Sequence, residues 1–378
     1  MKKKYIVISI SIIFLGSLIT IIINKNSKEY IMQDGIMLAL TLDGEKINTY
    51  PDERNYYIEV NCENGKGKWL VEEWKLAVEE ITGNVVCNID FTSNPKTLVS
   101  EVEEVNANNN YNNHGYRYSG YNPNNYIWFN NEIWRIIGSI PTCLSANCGT
   151  NTTNLIKIIR NEPIGGLVYD ASSTSTSSLK GAWGSNTLYS LLNTHYYSTS
   201  QSGLNGQNHA GCYGYYGSAR VAKAKCDYTG IGILSTSYYG KMVKNVYWNT
   251  GASYYYDITV STMYTNEILK RTVSGYIGLM NASDYGYATN STYHTNTLDK
   301  YTSILEMGLN NWLNNYGRCW TNTQCSEDAT RALMIYPGGY FTDTNADNNL
   351  VKPVVYLDPS VYIISGDGTE GNPYQIGM

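Results

Sequence analysis

The chain has 378 residues, a formal net charge of −5 at pH 7 and only 16% charged residues. This length allows two ordinary domains, or one large and one small domain. The acidic balance argues against nucleic-acid binding, which needs a basic surface.

The N-terminus reads as a membrane anchor. Lys2, Lys3 and Lys4 precede an almost uninterrupted apolar run from Tyr5 to Ile23, which is close to the roughly 20 residues that a spanning helix needs. A cleavable signal peptide has a shorter apolar core and a small-residue cleavage site. We therefore expect residues 1–24 to form an uncleaved signal anchor, a transmembrane helix, in preference to a removed signal peptide. The predicted localisation is the cell membrane, single-pass, with the membrane as a partner and the bulk of the chain extracellular.

The cysteines fall into near-neighbour pairs: Cys62 with Cys87, Cys143 with Cys148, Cys212 with Cys226, and Cys319 with Cys325. Such a set is typical of exported proteins, because cytosolic thiols stay reduced. We predict one disulfide within each pair, although many other connectivities are open. Zinc is the alternative, but the usual Cys-x-x-Cys spacings do not occur around these pairs. If all the pairs are disulfides, no thiol remains for catalysis.

Residues 30–95 are predicted to form a small β-sandwich-like domain. Strands are expected at Ile36–Leu42, Tyr56–Cys62 and Asn84–Phe91, separated by Gly-containing turns. The stretch 68–80 fits strand alternation and helical spacing about equally well. A bond between Cys62 and Cys87 would connect two of these strands, which is useful in a domain with little core.

Residues 96–120 are acidic and then Asn-rich, and we interpret them as a linker without packing. Residues 121–378 carry strand and helix signals without regular alternation, which favours an α+β domain. A hairpin is expected at 126–137 around Asn130-Asn131. Further predicted elements are strands at Leu155–Arg160, Val351–Leu357 and Val361–Ile364, and helices at Leu188–Asn193 and Ser303–Asn314.

Four motifs follow one another in this second region. They are Tyr126-Ile127-Trp128-Phe129-Asn130-Asn131-Glu132-Ile133-Trp134-Arg135-Ile136-Ile137-Gly138; the spaced set Trp183, Leu188, Leu192, Asn193, Tyr196 and Tyr197; Gly278-Leu279-Met280 through Asp284-Tyr285-Gly286-Tyr287-Ala288-Thr289; and Val351-Lys352-Pro353-Val354-Val355-Tyr356-Leu357 with the closing Gly368-Thr369-Glu370-Gly371-Asn372-Pro373-Tyr374. Together they resemble an uncharacterised family of exported bacterial surface proteins. That family is similar to the C-type-lectin-like fold shared with formylglycine-generating enzymes and hypervariable receptors. The resemblance implies a lectin-like α+β domain over 121–378 and carries no assigned activity.

Clustered aromatic residues are the best candidates for a ligand-binding surface. Tyrosine is abundant (36 residues) while phenylalanine is scarce (4), and Asn, Ser, Thr and Gly are frequent. This composition is typical of recognition surfaces, and an AT-rich genome would favour some of the same residues. The candidates are Tyr213, Tyr215, Tyr216, Tyr238, Tyr239, Trp248, Tyr254, Tyr255 and Tyr256. The alternative is that many of these rings point into the core.

Signals for chemistry are weaker. Asp343, Asn345 and Asp347 have the spacing of the first three ligands of a calcium loop, but later positions of that motif do not match. An Asn/Asp-rich surface turn is the alternative. Scattered carboxylates, among them Glu132, are the residues that a glycoside hydrolase would require in pairs. Glu132 is expected to pair with Arg135 on the same hairpin.

The functional expectation is ligand binding or adhesion at the cell surface, with a glycan or a protein as the partner and without catalysis. A structural cell-envelope protein that has no specific ligand is the alternative. An extracellular hydrolase or a copper-dependent oxidase comes third, because the formylglycine-generating enzymes use a reactive copper-binding cysteine pair. Here every cysteine has a nearer predicted disulfide partner, so that activity is not carried over.

Overall fold

The computed structural model describes residues 30–172, 175–202, 226–302, 310–314, 317–344 and 348–378. These residues are strand-rich, with 38% of them in strands or bridges and 18% in helices. The first strands are β1 Ile31–Gln33, β2 Ile36–Leu42, β3 Glu45–Ile47, β4 Tyr57–Glu63, β5 Lys66–Leu70, β6 Lys75–Glu79, β7 Val86–Thr92, β8 Tyr116–Arg117, β9 Tyr126–Phe129, β10 Glu132–Thr142 and β11 Thr153–Arg160. The later ones are β12 Gly166–Val168, β13 Val243–Lys244, β14 Val246–Trp248, β15 Val273–Gly275, β16 Ile277–Gly278, β17 Cys319–Gln324, β18 Ala332–Tyr336, β19 Tyr340–Thr344, β20 Asn348–Leu350, β21 Val354–Leu357, β22 Tyr362–Ser365 and β23 Gln375–Gly377.

The helices are short. The α-helices are α1 Leu98–Val105, α2 Thr187–Leu191, α3 Ser237–Met242, α4 Val260–Ile268 and α5 Ala282–Ala288. A π-helical turn, Leu192–Tyr196, continues α2. Single 3₁₀ turns cover Ala107–Asn109, Tyr111–Asn113, Thr176–Ser178, Ile233–Ser235, Ser291–Tyr293 and Leu298–Thr302.

The described part of the chain does not contain the predicted transmembrane helix. Within the described ranges, no helix has the length and apolar character that crossing a membrane requires. The predicted fold class, which places such a helix before two domains, and the predicted single-pass membrane localisation are therefore wrong on this point. The segment 1–24 itself lies outside the described residues.

The chain divides into two compact units. The first comprises residues 30–97 together with 362–367 and 374–378, and the second comprises 98–361 and 368–373. Strands β22 and β23 thus belong to the first unit, although the sequence placed them in the 121–378 domain. The reason is that β22 is bound to residues 96–97 by backbone contacts, among them an Ile363 N–H···O=C Lys96 hydrogen bond of 3.0 Å.

The first unit is built around a mixed sheet in the order β1-β2-β7-β4, with β3 beside β2. Strands β2 and β7 run parallel and the other pairs antiparallel. The ambiguous stretch 68–80 lies mostly in the hairpin β5–β6. Trp69 packs edge-on against Trp74 and Phe91, with ring centroids 5.3 and 5.4 Å away. These aromatic rings pack with buried aliphatic side chains, among them Leu38, Ile58 and Ile89, in the core of this small unit.

The disulfide predictions have different outcomes. Cys62 and Cys87 face each other across β4 and β7 and are bonded, as are Cys143 and Cys148, so both predictions are confirmed. Cys226 is disulfide-bonded, whereas its predicted partner Cys212 lies outside the described residues.

The predicted Cys319–Cys325 bond is wrong, because both are buried free thiols. Cys319 begins β17 opposite Ile335, while Gln324 at its end lies opposite Ala332. The three-residue step on the partner strand separates these ends by about 10 Å. A disulfide needs Cα atoms within roughly 7 Å. Sequence proximity therefore does not bring these two cysteines together.

The second unit contains two larger sheets. One has the order β13-β21-β11-β10-β8, with β9 beside β10 and β16 beside β21; the other has the order β12-β20-β17-β18-β19. The predicted hairpin at 126–137 is confirmed by the pairing of β9 with β10. Asn130 and Asn131 both have positive φ, 54° and 62°, as a two-residue hairpin turn requires.

The segment predicted to be an unpacked linker differs from that expectation. Leu98 and Val102, four residues apart on α1, are both fully buried. The Glu103 carboxylate accepts hydrogen bonds of 2.8 Å from Ser139 and Asn154 on β10 and β11. The acidic composition of the segment conceals one buried apolar stripe, which is enough to pack a two-turn helix.

A buried ion cluster connects the sheet to a helix in the second unit. The Asp284 carboxylate on α5 contacts the Arg117 guanidinium on β8 and the Lys157 ammonium on β11, each at 2.5 Å, and all three side chains are at most 4% exposed. Asp284 also accepts the Asn281 N–H at 2.8 Å. Burial alone would raise the pKa of Asp284, but Lys157 and Arg117 hold it below the usual value.

We predict that Asp284→Asn lowers the free energy of unfolding of the second unit by about 3–5 kcal/mol, because two buried cations lose their counter-charge. Lys244→Gln is the matched control, since the Lys244–Asp358 pair is partly exposed and its loss should cost no more than about 1 kcal/mol. Urea denaturation of both variants measures the difference. Equal, small effects would contradict this account of the cluster.

Candidate functional site

A short tyrosine segment, Tyr254–Tyr256, lies in the loop between β14 and α4, which we call the tyrosine loop. Just before it, the Ser253 N–H donates to the Gln324 carbonyl at 3.0 Å, so the chain is held beside β17. Just after it, Asp257 has a φ of 56° and turns the chain. The Asp257 N–H donates to the Asp299 carboxylate at 3.2 Å. The loop is thus fixed at both ends before α4 begins.

The three rings of this segment differ in exposure. Tyr254 and Tyr255 are partly buried and contact each other with centroids 4.7 Å apart. Tyr255 also stacks on Phe341 of β19, at 6.1 Å and an interplanar angle of 22°. Tyr256 is 63% exposed. The sequence-predicted cluster therefore presents one ring to solvent and rests another on a strand.

Beside these rings is a cleft of about 450 Å³, within the usual size of a small-ligand site. It is lined by Tyr255, Tyr256, Asp299, Lys300, Tyr340, Phe341 and Thr342. We call this the tyrosine cleft. Strand β19 supplies one wall and the 3₁₀ turn Leu298–Thr302 supplies the charged groups, while the tyrosine loop supplies the third side.

Contacts on both sides of the β18–β19 hairpin hold the β19 wall in place. Tyr336 and Tyr340 are paired across the β18–β19 hairpin, and their rings stack at 4.9 Å. Arg318 lies 4.6 Å from the Tyr336 ring and donates to its hydroxyl at 2.9 Å. From the core side, the Tyr285 hydroxyl donates to the Gly339 carbonyl at 2.9 Å. These contacts fix the direction of the Tyr340 side chain.

The lining carries one carboxylate and one ammonium, so its formal charges balance. The neighbouring Thr297 side chain lowers the pKa of Asp299, which is therefore an ionised acceptor at neutral pH. Burial raises the pKa values of Tyr255 and Tyr340, which keeps both phenols protonated. The cleft combines aromatic faces, hydroxyl donors and a carboxylate acceptor in one place.

Other predicted aromatic candidates lie elsewhere. Tyr239 and Trp248 are buried, at 3% and 1% exposure, so their assignment to a ligand surface is wrong. Tyr239 packs against Phe129, and the Trp248 indole donates to the Gly275 carbonyl at 3.0 Å. Tyr238 is partly exposed and packs edge-on against Tyr239. Tyr213, Tyr215 and Tyr216 lie outside the described residues.

Of the seven residues that line the cleft, the sequence predicts only Tyr255 and Tyr256. Asp299, Lys300, Tyr340 and Phe341 come from segments far from the tyrosine cluster. One signal for the β19 wall was present, because the Gly338-Gly339 pair between Tyr336 and Tyr340 marks a hairpin turn. The 3₁₀ turn has no comparable sequence signal.

The groups considered for catalysis or metal binding are mostly engaged in structure. Glu132 pairs with Arg160 and not, as predicted, with Arg135, whose guanidinium lies 3.8 Å from the Tyr126 ring. Burial raises the pKa of Cys319 to about 11 and also raises that of Cys325. These free thiols therefore stay protonated, which disfavours the thiolate that copper binding needs.

The calcium candidate stays a prediction. Asp343 lies within β19, and its carboxylate pairs with Arg331 at 3.0 Å. Asn345 and Asp347 lie outside the described residues. Elsewhere in the part of the chain that the structure describes, no group of three or more metal-ligating side chains is found.

No family model matches this chain, and no curated protein and no solved structure matches it either. The resemblance to exported surface proteins with a lectin-like fold therefore stays a prediction from the motifs.

A second polar cluster surrounds Glu267 on α4, the helix that follows the segment Tyr254–Tyr256. The Glu267 carboxylate on α4 is fully buried. It accepts hydrogen bonds from the Ser283 N–H at 3.1 Å, from the Ser283 hydroxyl, and from the Thr323 hydroxyl at 2.6 Å. Burial outweighs these bonds and raises the pKa of Glu267 from 4.5 to about 7. Folding therefore makes the Glu267 carboxyl harder to ionise than it is in the unfolded chain.

We predict that Glu267→Gln removes a pH dependence of stability. Because the folded pKa is the higher one, the stabilisation is complete below pH 4.5 and is lost as pH rises through about 7. Between these limits, wild type should lose about 3 kcal/mol relative to the variant. His114 and His294, whose pKa values burial lowers to about 4, act with the opposite sign, so only the difference between the two proteins is informative. Parallel urea titrations across this pH range measure it; a constant difference would contradict the assignment.

Proposed function

We propose that this protein is an extracellular recognition protein that binds carbohydrate in the tyrosine cleft. The observation that carries the proposal is the cleft itself. Aromatic faces, an ionised carboxylate, an ammonium and a hydroxyl line its volume of about 450 Å³. A concave site that brings aromatic rings and a few polar groups together is a candidate for ligand binding.

The aromatic residues suit the faces of sugar rings. A pyranose has an apolar face of C–H groups, and a tyrosine ring covers such a face while its hydroxyl stays hydrated. Tyr256 is exposed and free to take this role, whereas Tyr255 and Tyr340 are held by Phe341 and Tyr336. A rigid aromatic pair beside an exposed ring loses little conformational entropy on binding.

The polar residues suit sugar hydroxyls. A carboxylate accepts from two vicinal hydroxyls at once, and Asp299 is ionised at neutral pH. Lys300 is exposed and donates, and the Thr342 hydroxyl does both. The balanced charge of the lining favours a neutral glycan over a strongly acidic one.

The compartment fits this function. Two disulfides, Cys62–Cys87 and Cys143–Cys148, are compatible with an extracellular protein. The motif resemblance to exported surface proteins supports the same interpretation. Protein ligands of cell surfaces use tyrosine-rich sites as well, so a protein partner is an outcome that the experiment below separates.

We predict that the full-length protein gives a saturable signal on a glycan array. Tyr256→Ala should weaken binding to the strongest glycan by roughly 5- to 30-fold, which corresponds to about 1–2 kcal/mol for the loss of one stacking ring. Isothermal titration calorimetry with that glycan measures the change. Tyr121→Ala is the matched control, since Tyr121 is 69% exposed and lies outside the cleft.

Two results would refute the proposal. Silence of the folded, disulfide-bonded protein across the array would exclude carbohydrate and favour a protein ligand. Unchanged affinity in Tyr256→Ala, or an equal loss in Tyr121→Ala, would show that the glycan binds elsewhere.

A further inference from the structure

A second tyrosine pair, remote in sequence, is held in a geometry suited to covalent coupling. Tyr189, Asn193 and Tyr197 are spaced four residues apart along α2 and the π-helical turn. All three contact one short strand segment, residues 274–277. At the end of this turn the Tyr197 N–H donates to the Leu192 carbonyl at 2.9 Å, an i to i−5 bond. Such π-helical bonds are uncommon and are frequent at functional sites.

Hydrogen bonds hold the helix and the strand segment in register. The Tyr189 hydroxyl donates to the Ser274 carbonyl at 2.7 Å. The Asn193 amide donates to the Ile277 carbonyl at 2.8 Å and accepts the Ile277 N–H at 3.0 Å. Both backbone groups of Ile277, the residue after Tyr276, are therefore bound by Asn193, one turn before Tyr197.

Glycine at position 275 permits this close approach. A Cβ atom there would lie 2.8 Å from the Asn193 side-chain oxygen and 3.3 Å from the Tyr189 ring. A larger residue would push the helix away from the strand and separate the two tyrosines.

The outcome is a nearly parallel stack of two phenols. The Tyr197 and Tyr276 ring centroids are 4.2 Å apart with an interplanar angle of 13°. The Tyr254–Tyr255 pair is less parallel, at 4.7 Å and 45°, as is Tyr336–Tyr340 at 4.9 Å and 30°. Both stacked rings are partly exposed. Burial and the neighbouring Tyr276 phenol raise the pKa of Tyr197, as expected for two adjacent hydroxyl groups.

We propose that Tyr197 and Tyr276 form a site of intramolecular dityrosine cross-linking. Each phenol loses one electron and its hydroxyl proton to give a phenoxyl radical. The unpaired electron occupies an orbital perpendicular to the ring and has density on the carbons ortho to the oxygen. Facing rings therefore direct these orbitals at each other, and one C–C bond forms between the ortho carbons. The two ortho hydrogens then move to the oxygens, which restores both aromatic rings.

The balance requires an oxidant. The pair gives up two electrons and two protons in total, and one hydrogen peroxide takes them up to form two waters. A haem peroxidase, which oxidises phenols one electron at a time, supplies the two steps. The proposed extracellular compartment is oxidising, so it allows this oxidation and also keeps the disulfides formed. Because the rings are already in contact, coupling within the chain has a large effective concentration over coupling between chains.

The test uses the full-length protein with hydrogen peroxide and a haem peroxidase, at a concentration low enough to suppress coupling between molecules. Peptide mass spectrometry should find a linked pair of peptides, lighter by two hydrogen atoms, with the bond located at Tyr197 and Tyr276. Tyr197→Phe and Tyr276→Phe should each reduce this product by at least about tenfold, since phenylalanine has no hydroxyl to oxidise. Tyr238→Phe is the matched control, because its ring meets Tyr239 edge-on at 75°, and it should leave the yield unchanged.

Folding of the variants is checked by circular dichroism before oxidation, and the two single variants report independently. The cross-linked protein should also melt at a higher temperature than the untreated protein, because a new covalent bond closes a long loop. A dominant link between other tyrosines, or no linked peptide pair after exhaustive oxidation, would overturn the proposal.

Discussion

The buried charge of Asp284 is the constraint on which the second unit depends. A carboxylate that is 1% exposed is tolerated only because two cations from separate strands neutralise it. The strands bearing Arg117 and Lys157 must therefore lie on the same side of α5. The ion cluster is specific in a way that apolar packing is not, since a shift of either strand would leave a charge unpaired in the core.

This constraint reaches the tyrosine cleft through adjacent residues. Tyr285 follows Asp284 and donates to the Gly339 carbonyl, immediately before Tyr340 of the cleft wall. On the same helix, Ser283 binds the Glu267 carboxylate, which also accepts from Thr323 of β17. Helices α4 and α5 and strand β17 are thus connected by buried polar bonds. The segment Tyr254–Tyr256 leads into α4, and Ser253 just before it is hydrogen-bonded to Gln324 of β17, which holds its rings in place although they are not buried.

Local signals in the sequence were sufficient for part of this structure. The hairpin with Asn130 and Asn131 follows from the need for positive φ at two positions, and the bond between Cys62 and Cys87 follows from their places on predicted strands. The sequence does not indicate helix α1, because only Leu98 and Val102 form its buried apolar stripe. The Cys319–Cys325 bond was a wrong prediction, because an extended strand moves residues that are close in sequence apart in space.

Of the seven residues that line the cleft, only Tyr255 and Tyr256 could be predicted from the sequence. The cluster Tyr254–Tyr256 stands out in the sequence, but so do Tyr239 and Trp248, which are in the core. Composition indicates how many aromatic rings there are and not which way they point. The carboxylate of Asp299 joins the cleft through a 3₁₀ turn distant in sequence, and only the tertiary fold reveals such a contribution.

The most direct test of the central claim is amide hydrogen exchange, with mass spectrometry, of the full-length protein with and without the strongest glycan from the array. The account predicts slower exchange confined to residues 254–257, 297–300 and 340–342, where the tyrosine loop, the 3₁₀ turn and β19 meet. Slower exchange in another part of the second unit, or in the first unit, with these segments unchanged, would contradict it.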